Sequence, residues 1–252
     1  VRQLIACLVS GLALAGCGEG ERASDKAYSA TGAVVAMSGG DGGPANACFS
    51  CHGLDGGGDG QAAPRLAGLS AGYLHKQLED YAAGLRTDQP MASIAGRLSP
   101  RARLAVAGHY GALPPPSGPA SATATPAAYA DCVACHGTAG QGAGDAGPAI
   151  AGQPAAYIAD QLDRWRTGER RNDPRGVMRV AALRLSTRET VAIAAWLAGQ
   201  PAVRPPGSVG AIGSVSDTAW EAPAASRASH RPDRRTGASA PRRRGSGSAA
   251  AG

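Results

Sequence analysis

Apolar side chains recur at helical spacing in two stretches of this chain. Tyr73, Leu74, Gln77, Leu78 and Tyr81 share one face of a predicted helix, and Tyr157, Ile158, Gln161, Leu162 and Trp165 share the matching face of another. Ser70 and Pro154 open these helices, and Gly84 and Gly168 stop them. Ser99-Pro100 combines a capping hydroxyl with a proline that needs no amide partner, and starts a further helix. Thr125-Pro126 starts another that runs into Cys132 and Cys135, and Ser186 with Glu189 forms a capping box ahead of a last one. Strand-type alternation is missing, so the chain reads as all-α, with short helices around long Gly-rich loops.

The pattern is duplicated. At an offset of 84, Cys48, Cys51, His52 and Gly53 fall on Cys132, Cys135, His136 and Gly137, and Pro64, Gly68, Tyr73, Gln77, Leu78, Gly84 and Arg86 fall on Pro148, Gly152, Tyr157, Gln161, Leu162, Gly168 and Arg170. Three residues inserted near Asn172–Val177 raise the offset to 87, after which Met91, Ala95 and Leu98-Ser99 meet Met178, Ala182 and Leu185-Ser186. Two helical domains are expected, 41–113 and 126–200. Residues 114–125, rich in Pro, Ala, Ser and Thr, join them as a linker.

Charge adds little to this picture. The net +6 is concentrated beyond Pro201, where eight Arg stand against three acids, so the folded part is nearly neutral. No basic stripe with interleaved aromatics argues for nucleic acid. Residues 201–252 lack an apolar period and are expected to form a disordered Arg/Pro/Ser-rich tail. The first seventeen residues place a positive end before an almost wholly apolar run, as in an export signal. Its close, Leu14-Ala15-Gly16-Cys17, resembles a lipoprotein box, with Cys17 as the lipidated residue and 18–40 as a tether. A periplasmic protein, anchored to the membrane through Cys17, is the expectation.

Cys48-Phe49-Ser50-Cys51-His52 and Cys132-Val133-Ala134-Cys135-His136 are two copies of Cys-x-x-Cys-His, the attachment pattern of c-type haem. Residues i and i+3 share a helical face, so both thiols reach the two vinyl groups of one porphyrin. The histidine that follows lies under the iron as its proximal ligand. Its second ring nitrogen needs an acceptor, and Pro64 and Pro148, each twelve residues on, stand where a loop could return a backbone carbonyl. Disulfides within each pair or a Cys₄ zinc site would leave both histidines without a role, and a thioredoxin-like pair expects a βαβ context that is missing. A large ring in each domain also replaces aromatic side chains the chain lacks: three Trp, six Tyr and one Phe in 252 residues.

The chain has three methionines. Met37 precedes the first motif, whereas Met91 and Met178 occupy matching positions after their histidines and are the candidate sixth ligands; His/Met ligation raises the potential. Bis-histidine ligation would require His75, which lies off the apolar face, or His109, whose counterpart is Trp196. Two saturated irons favour electron transfer over catalysis.

Taken together, CxxCHG, P-x-L-A-G, Y-x-x-x-Q-L, G-x-R, Met and a last helix, given twice over residues 45–199, resemble the dihaem cytochrome c4 family. Arg65-Leu66-Ala67-Gly68 with Gln77-Leu78 carries the likeness in the first half, and Ile150-Ala151-Gly152-Gln153 with Gln161-Leu162 and Gly168-Glu169-Arg170 in the second. The resemblance implies two tandem class I cytochrome c folds about an approximate two-fold axis, each wrapped around a covalent haem. It also implies single-electron traffic between respiratory partners, for example from a quinol-oxidising complex to a terminal oxidase. Alternatives are a haem-bearing subunit of a dehydrogenase complex, or a dihaem enzyme such as a peroxidase or thiosulfate-oxidising protein. The sequence departs from the pattern at Leu69, where the second half keeps Gln153, and in the tail.

Overall fold

The computed structural model describes residues 31–118 and 120–205; the expected export segment with Cys17, most of the expected tether and the expected tail beyond 205 lie outside these residues. Every regular element among them is helical. The first half contains α1 (Gly32–Ser38), α2 (Phe49–His52), α3 (Ala71–Ala82), α4 (Met91–Arg97) and α5 (Pro100–Ala112). The second contains a 3₁₀ segment (Ala127–Cys132), then α6 (Val133–His136), α7 (Ala155–Thr167), α8 (Val177–Arg184) and α9 (Thr187–Ala198).

The starts follow the local chemistry. The Ser70 and Ser99 hydroxyls accept the amides of Tyr73 and Ala102, with Pro100 as the first residue of α5. Ser186 and Glu189 form the reciprocal capping box of α9, and Gly168, at φ 79°, ends α7 in the left-handed region. At Thr125-Pro126 the outcome differs. Pro126 itself takes the capping position, and the turn behind it is 3₁₀ up to Cys132 before one α turn carries the motif.

The duplication is visible in the packing: α3 lies against α4 and α5 as α7 lies against α8 and α9. In the first core Val35, Leu69, Leu74, Leu98, Val106 and Tyr110 meet, and in the second Tyr129, Ile158, Ile193, Trp196 and Leu197. Tyr129 and Trp196 stack at a tilt, their ring centroids 4.7 Å apart.

Two boundaries need correction. Helix α1 falls inside the stretch 18–40 expected to be tether: Val35 and Ala36 are fully or nearly buried, and the helix packs on α5. Seven residues are too short to show a helical period. At the other end, residues 201–205, expected as the start of a disordered tail, return to the first half. The Arg204 guanidinium donates to the carbonyls of Gly111, Ala112 and Leu113 at the C-terminus of α5. Those carbonyls have no partner within their own helix, and the helix dipole favours a cation there.

Candidate haem sites

In each half the motif is one helical turn. Cys48 precedes α2, and the His52 amide donates to the Cys48 carbonyl at 2.9 Å, which puts both cysteines and the histidine on successive steps of the turn. Gly53 and Gly137 then leave at φ 77° and 78° with ψ near 160°, a conformation suited to glycine. The loop folds back at once, with the Gly58 amide donating to the His52 carbonyl at 2.9 Å and the Gly142 amide to that of His136 at 2.8 Å. A Cβ on Gly58 would come within 2.5 Å of the Ala63 oxygen, and one on Gly142 within 2.6 Å of the Ala149 nitrogen.

This tight return brings up the proline carbonyls anticipated from spacing. His52 Nδ1 lies 2.9 Å from the Pro64 oxygen, and His136 Nδ1 2.8 Å from the Pro148 oxygen. A carbonyl can only accept, so Nδ1 carries the hydrogen in both rings and Nε2 keeps its lone pair for a metal. Both imidazoles are buried, which pushes their pKa below the ordinary histidine range against the opposing effect of the carbonyl bond. They are therefore neutral near pH 7, the form a metal requires.

The four cysteines are unpaired. Burial raises the Cys48 thiol to about 11 and also lifts Cys132, while Cys51 and Cys135 are exposed. Each motif thus offers one enclosed and one open thiol on the same turn as its histidine. Among the described residues no three of His, Cys, Asp and Glu gather as a metal cluster, as a Cys₄ zinc site would require. Met91 is the first residue of α4 and Met178 the second of α8, both half-buried; the Met178 amide donates to Asp173 Oδ2 at 2.5 Å. Met37 is 60% exposed on α1. His75 pairs with Glu79 at the surface, and His109 packs edge-on against Tyr110 where α5 meets Gly32 of α1.

Between the halves lies a buried polar network that motif spacing does not reveal. Gln77 Oε1 accepts Arg86 Nη1 at 3.1 Å and Arg170 Nη2 at 2.9 Å; Gln161 Oε1 accepts Arg86 Nη2 at 2.6 Å and Arg170 Nη1 at 2.7 Å. Each guanidinium Nε donates two residues onward, to Asp88 or Asn172, and each lies 4.5 Å over an aromatic ring of its own half, Tyr81 or Trp165. The available signal is the repeated Gln and Gly-x-Arg: periodicity places the glutamines on an apolar face, and the arginines follow just beyond each helix. Gln153, kept in the second half where the first has Leu69, exchanges two hydrogen bonds with the Arg65 backbone across the same interface, whereas Leu69 fills the first core.

The neutral, oriented imidazoles beside paired free thiols fit covalent haem in both halves. The Cytochrome c family model matches residues 43–104 and 122–200. The thiosulfate dehydrogenase electron acceptor of Stutzerimonas stutzeri (strain A1501) is 39% identical over 191 residues, covering 69% of this chain and 88% of that protein. Cytochrome c4 of Thiocapsa roseopersicina is 34% identical over 171 residues, covering 60% and 86%. Among solved structures, reduced recombinant cytochrome c4 from Pseudomonas stutzeri superposes with a TM-score of 0.53 at 30% identity, covering 61% of this chain and 93% of that one. A thiosulfate dehydrogenase from Marichromatium purpuratum superposes at 0.57 and 40% identity, covering 66% of this chain but only 39% of that longer one. The chain carries two covalently bound haem c groups, serves as an electron carrier, and belongs to the dihaem cytochrome c4 proteins of the cytochrome c family.

Proposed function

We propose that this protein accepts single electrons from a thiosulfate-oxidising dehydrogenase and passes them to a respiratory acceptor. Its irons are held by His52 with Met91 and by His136 with Met178. Haem iron, when bound, stores one electron at a time. The chain's part is to hold it: Cys48, Cys51, Cys132 and Cys135 anchor the rings, and the Pro64 and Pro148 carbonyls orient the imidazoles. The observation that carries the ligation is the duplicated His–proline geometry, with Nε2 left available in both halves. The matched placement of Met91 and Met178 at the starts of equivalent helices supports sulfur as the opposite ligand.

The donor class is favoured over a quinol-oxidising complex by the 39% identity to a protein named as a thiosulfate dehydrogenase electron acceptor. Export to the periplasm and a lipid on Cys17 belong to the same proposal; no helix among the described residues is long and apolar enough to cross a membrane. Two measurements test the proposal. The ferric near-infrared methionine band, counted against haem content, should give two ligands per chain; Met178→Ala should halve it, lower the potential of one haem and let that haem bind cyanide. In stopped flow, a thiosulfate dehydrogenase supplied with thiosulfate should reduce both haems. An unchanged band in Met178→Ala removes the ligand assignment, and reduction by quinol-oxidising complexes alone removes the donor.

A further inference from the structure

The two halves repeat one another, so each is a control for the other, and α8 departs from its partner α4. On α8, Val177, Val180 and Leu183 are 50%, 50% and 55% exposed. At the matching positions α4 and the residue before it hold Pro90, Ser93 and Gly96. Helical spacing of about 100° per residue places Val180 and Leu183 on the side of α8 opposite Met178 and the fully buried Ala182. These side chains therefore face solvent, not the interior of the domain. A contiguous exposed apolar patch rimmed by polar residues is the mark of an interaction site.

The rim is basic. Arg179 and Arg184 stand on the same helix, Arg175 just before it and Arg188 on the first turn of α9, all exposed. Arg175, Arg179 and Arg188 have no acidic partner among the described residues, and Arg184 reaches Asp131 only at 3.9 Å, with both side chains about 70% exposed. Arg179 also lines a cavity of about 520 Å³ shared with Arg170 and Arg171, so the positive field continues beyond the helix. Acids nearby are already engaged: Asp173 holds the Met178 amide, and Glu189 the Ser186 cap. In the first half, Arg97 is the counterpart of Arg184 and is tied to Asn46, and Ala92 stands for Arg179. An apolar centre ringed by arginine, small in extent, is the anatomy of a transient protein contact with an acidic partner.

We infer that the outer face of α8 is the docking surface for a redox protein with an acidic rim, and that electrons therefore enter or leave through the second haem. This rests on the carrier function proposed above. The step is one electron: the partner's reduced centre is oxidised by one unit and the ferric iron held by His136 becomes ferrous, with no bond made or broken. Met178 lies on the opposite side of α8 from this stripe, so the helix that presents the docking face also carries the proposed sulfur ligand.

The test uses holoprotein with both haems and two probes of opposite charge, acidic cytochrome b5 and basic horse-heart cytochrome c. Arg179→Glu/Arg184→Glu should slow reduction by ferrous cytochrome b5 at least 10-fold at low ionic strength. The difference should vanish in high salt, and the variant should react faster than wild type with the basic probe. Val180→Ser/Leu183→Ser should slow cytochrome b5 several-fold at every salt concentration. Amide chemical shifts on adding oxidised cytochrome b5, a readout without electron transfer, should cluster on α8 and spare α4. Unchanged rates in both variants, or shifts centred on α4, would overturn the inference. So would binding to phosphatidylglycerol vesicles, or self-association, that the Val180/Leu183 variant abolishes. Hexaammineruthenium(II) in high salt, where its own charge is screened, serves as the control: if it reduces every form equally, the variants test docking, whereas failure to reduce any form would refute the carrier function itself.

Discussion

Replacing Gln77 or Gln161 with leucine probes the network that joins the halves, and the two substitutions are not equivalent. Gln161→Leu removes the acceptor of Arg86 Nη2 and Arg170 Nη1, but Arg86 Nη2 keeps the Tyr157 hydroxyl at 3.1 Å. Only Arg170 Nη1 is left without an acceptor; the Gln161 Nε2 donations to Asp88 and Asp160 are also lost, but both carboxylates keep arginine partners. A buried charged donor left unsatisfied costs about 1–3 kcal/mol, and the weakened Arg86 contact about 1 more, for roughly 2–4 kcal/mol. Gln77→Leu removes the acceptor of Arg86 Nη1, Arg170 Nη2 and Asn172 Nδ2, and only Asn172 retains another, Asp80. Two orphaned guanidinium donors put that loss at roughly 3–5 kcal/mol. Guanidinium denaturation of the holoproteins, followed by tryptophan fluorescence and Soret circular dichroism, would measure both. The double variant should cost less than the sum, because each guanidinium is shared. A Gln77→Leu protein within about 0.5 kcal/mol of wild type, or one more stable than Gln161→Leu, would refute this account of the interface.

Three further outcomes are expected. Asp88 titrates below the usual aspartate range: burial pushes it up, and Arg86, Gln161 and Arg164 more than offset that. A depressed carboxylate stabilises above its unfolded value and loses that contribution as pH falls through the folded one, so the acid limb of wild-type stability below about pH 4 should flatten in Asp88→Asn. Arg204→Gln should cost about 1–2 kcal/mol by releasing three carbonyls at the end of α5, with amide exchange there rising more than in α9. Gly142→Ala, at φ 81° with 2.6 Å to the Ala149 nitrogen, should displace the Pro148 carbonyl from His136 and lower occupancy of the second haem alone, seen by mass spectrometry of the two motif peptides; equal loss at both motifs would disprove the local cause.

Much of the site was legible because its chemistry is local. Cys, Cys and His fall within one helical turn, and the proline that orients each histidine is only twelve residues on, so spacing alone carries the geometry. The capping residues Ser70, Ser99 and Ser186 were legible for the same reason. What spacing could not show depends on contacts between distant residues. Gln77 and Gln161 sit on a helical face that periodicity classes as apolar, and only the partner half reveals why an amide is buried there. Helix α1 is too short to display a period, and Arg204 stands in a run that composition classes as tail, although it reaches α5 some 90 residues back in the chain.

The same distinction explains how one repeat serves two ends. At the centre, each arginine uses the glutamine of its own half and that of the other, so a change in either half is felt by both; this holds Arg86 and Arg170 to the same chemistry and keeps the two-fold pattern. Away from the centre nothing imposes symmetry. Ser93 stands opposite Val180, and Ala92 opposite Arg179. Symmetry is kept where each residue bonds both halves at once, and lost where a bond across the interface runs one way, as between Gln153 and the Arg65 backbone, or where a residue faces solvent. The outward face of α8 belongs to the second kind, which is why a duplicated carrier can offer one haem to an acidic protein and reserve the other for a different surface.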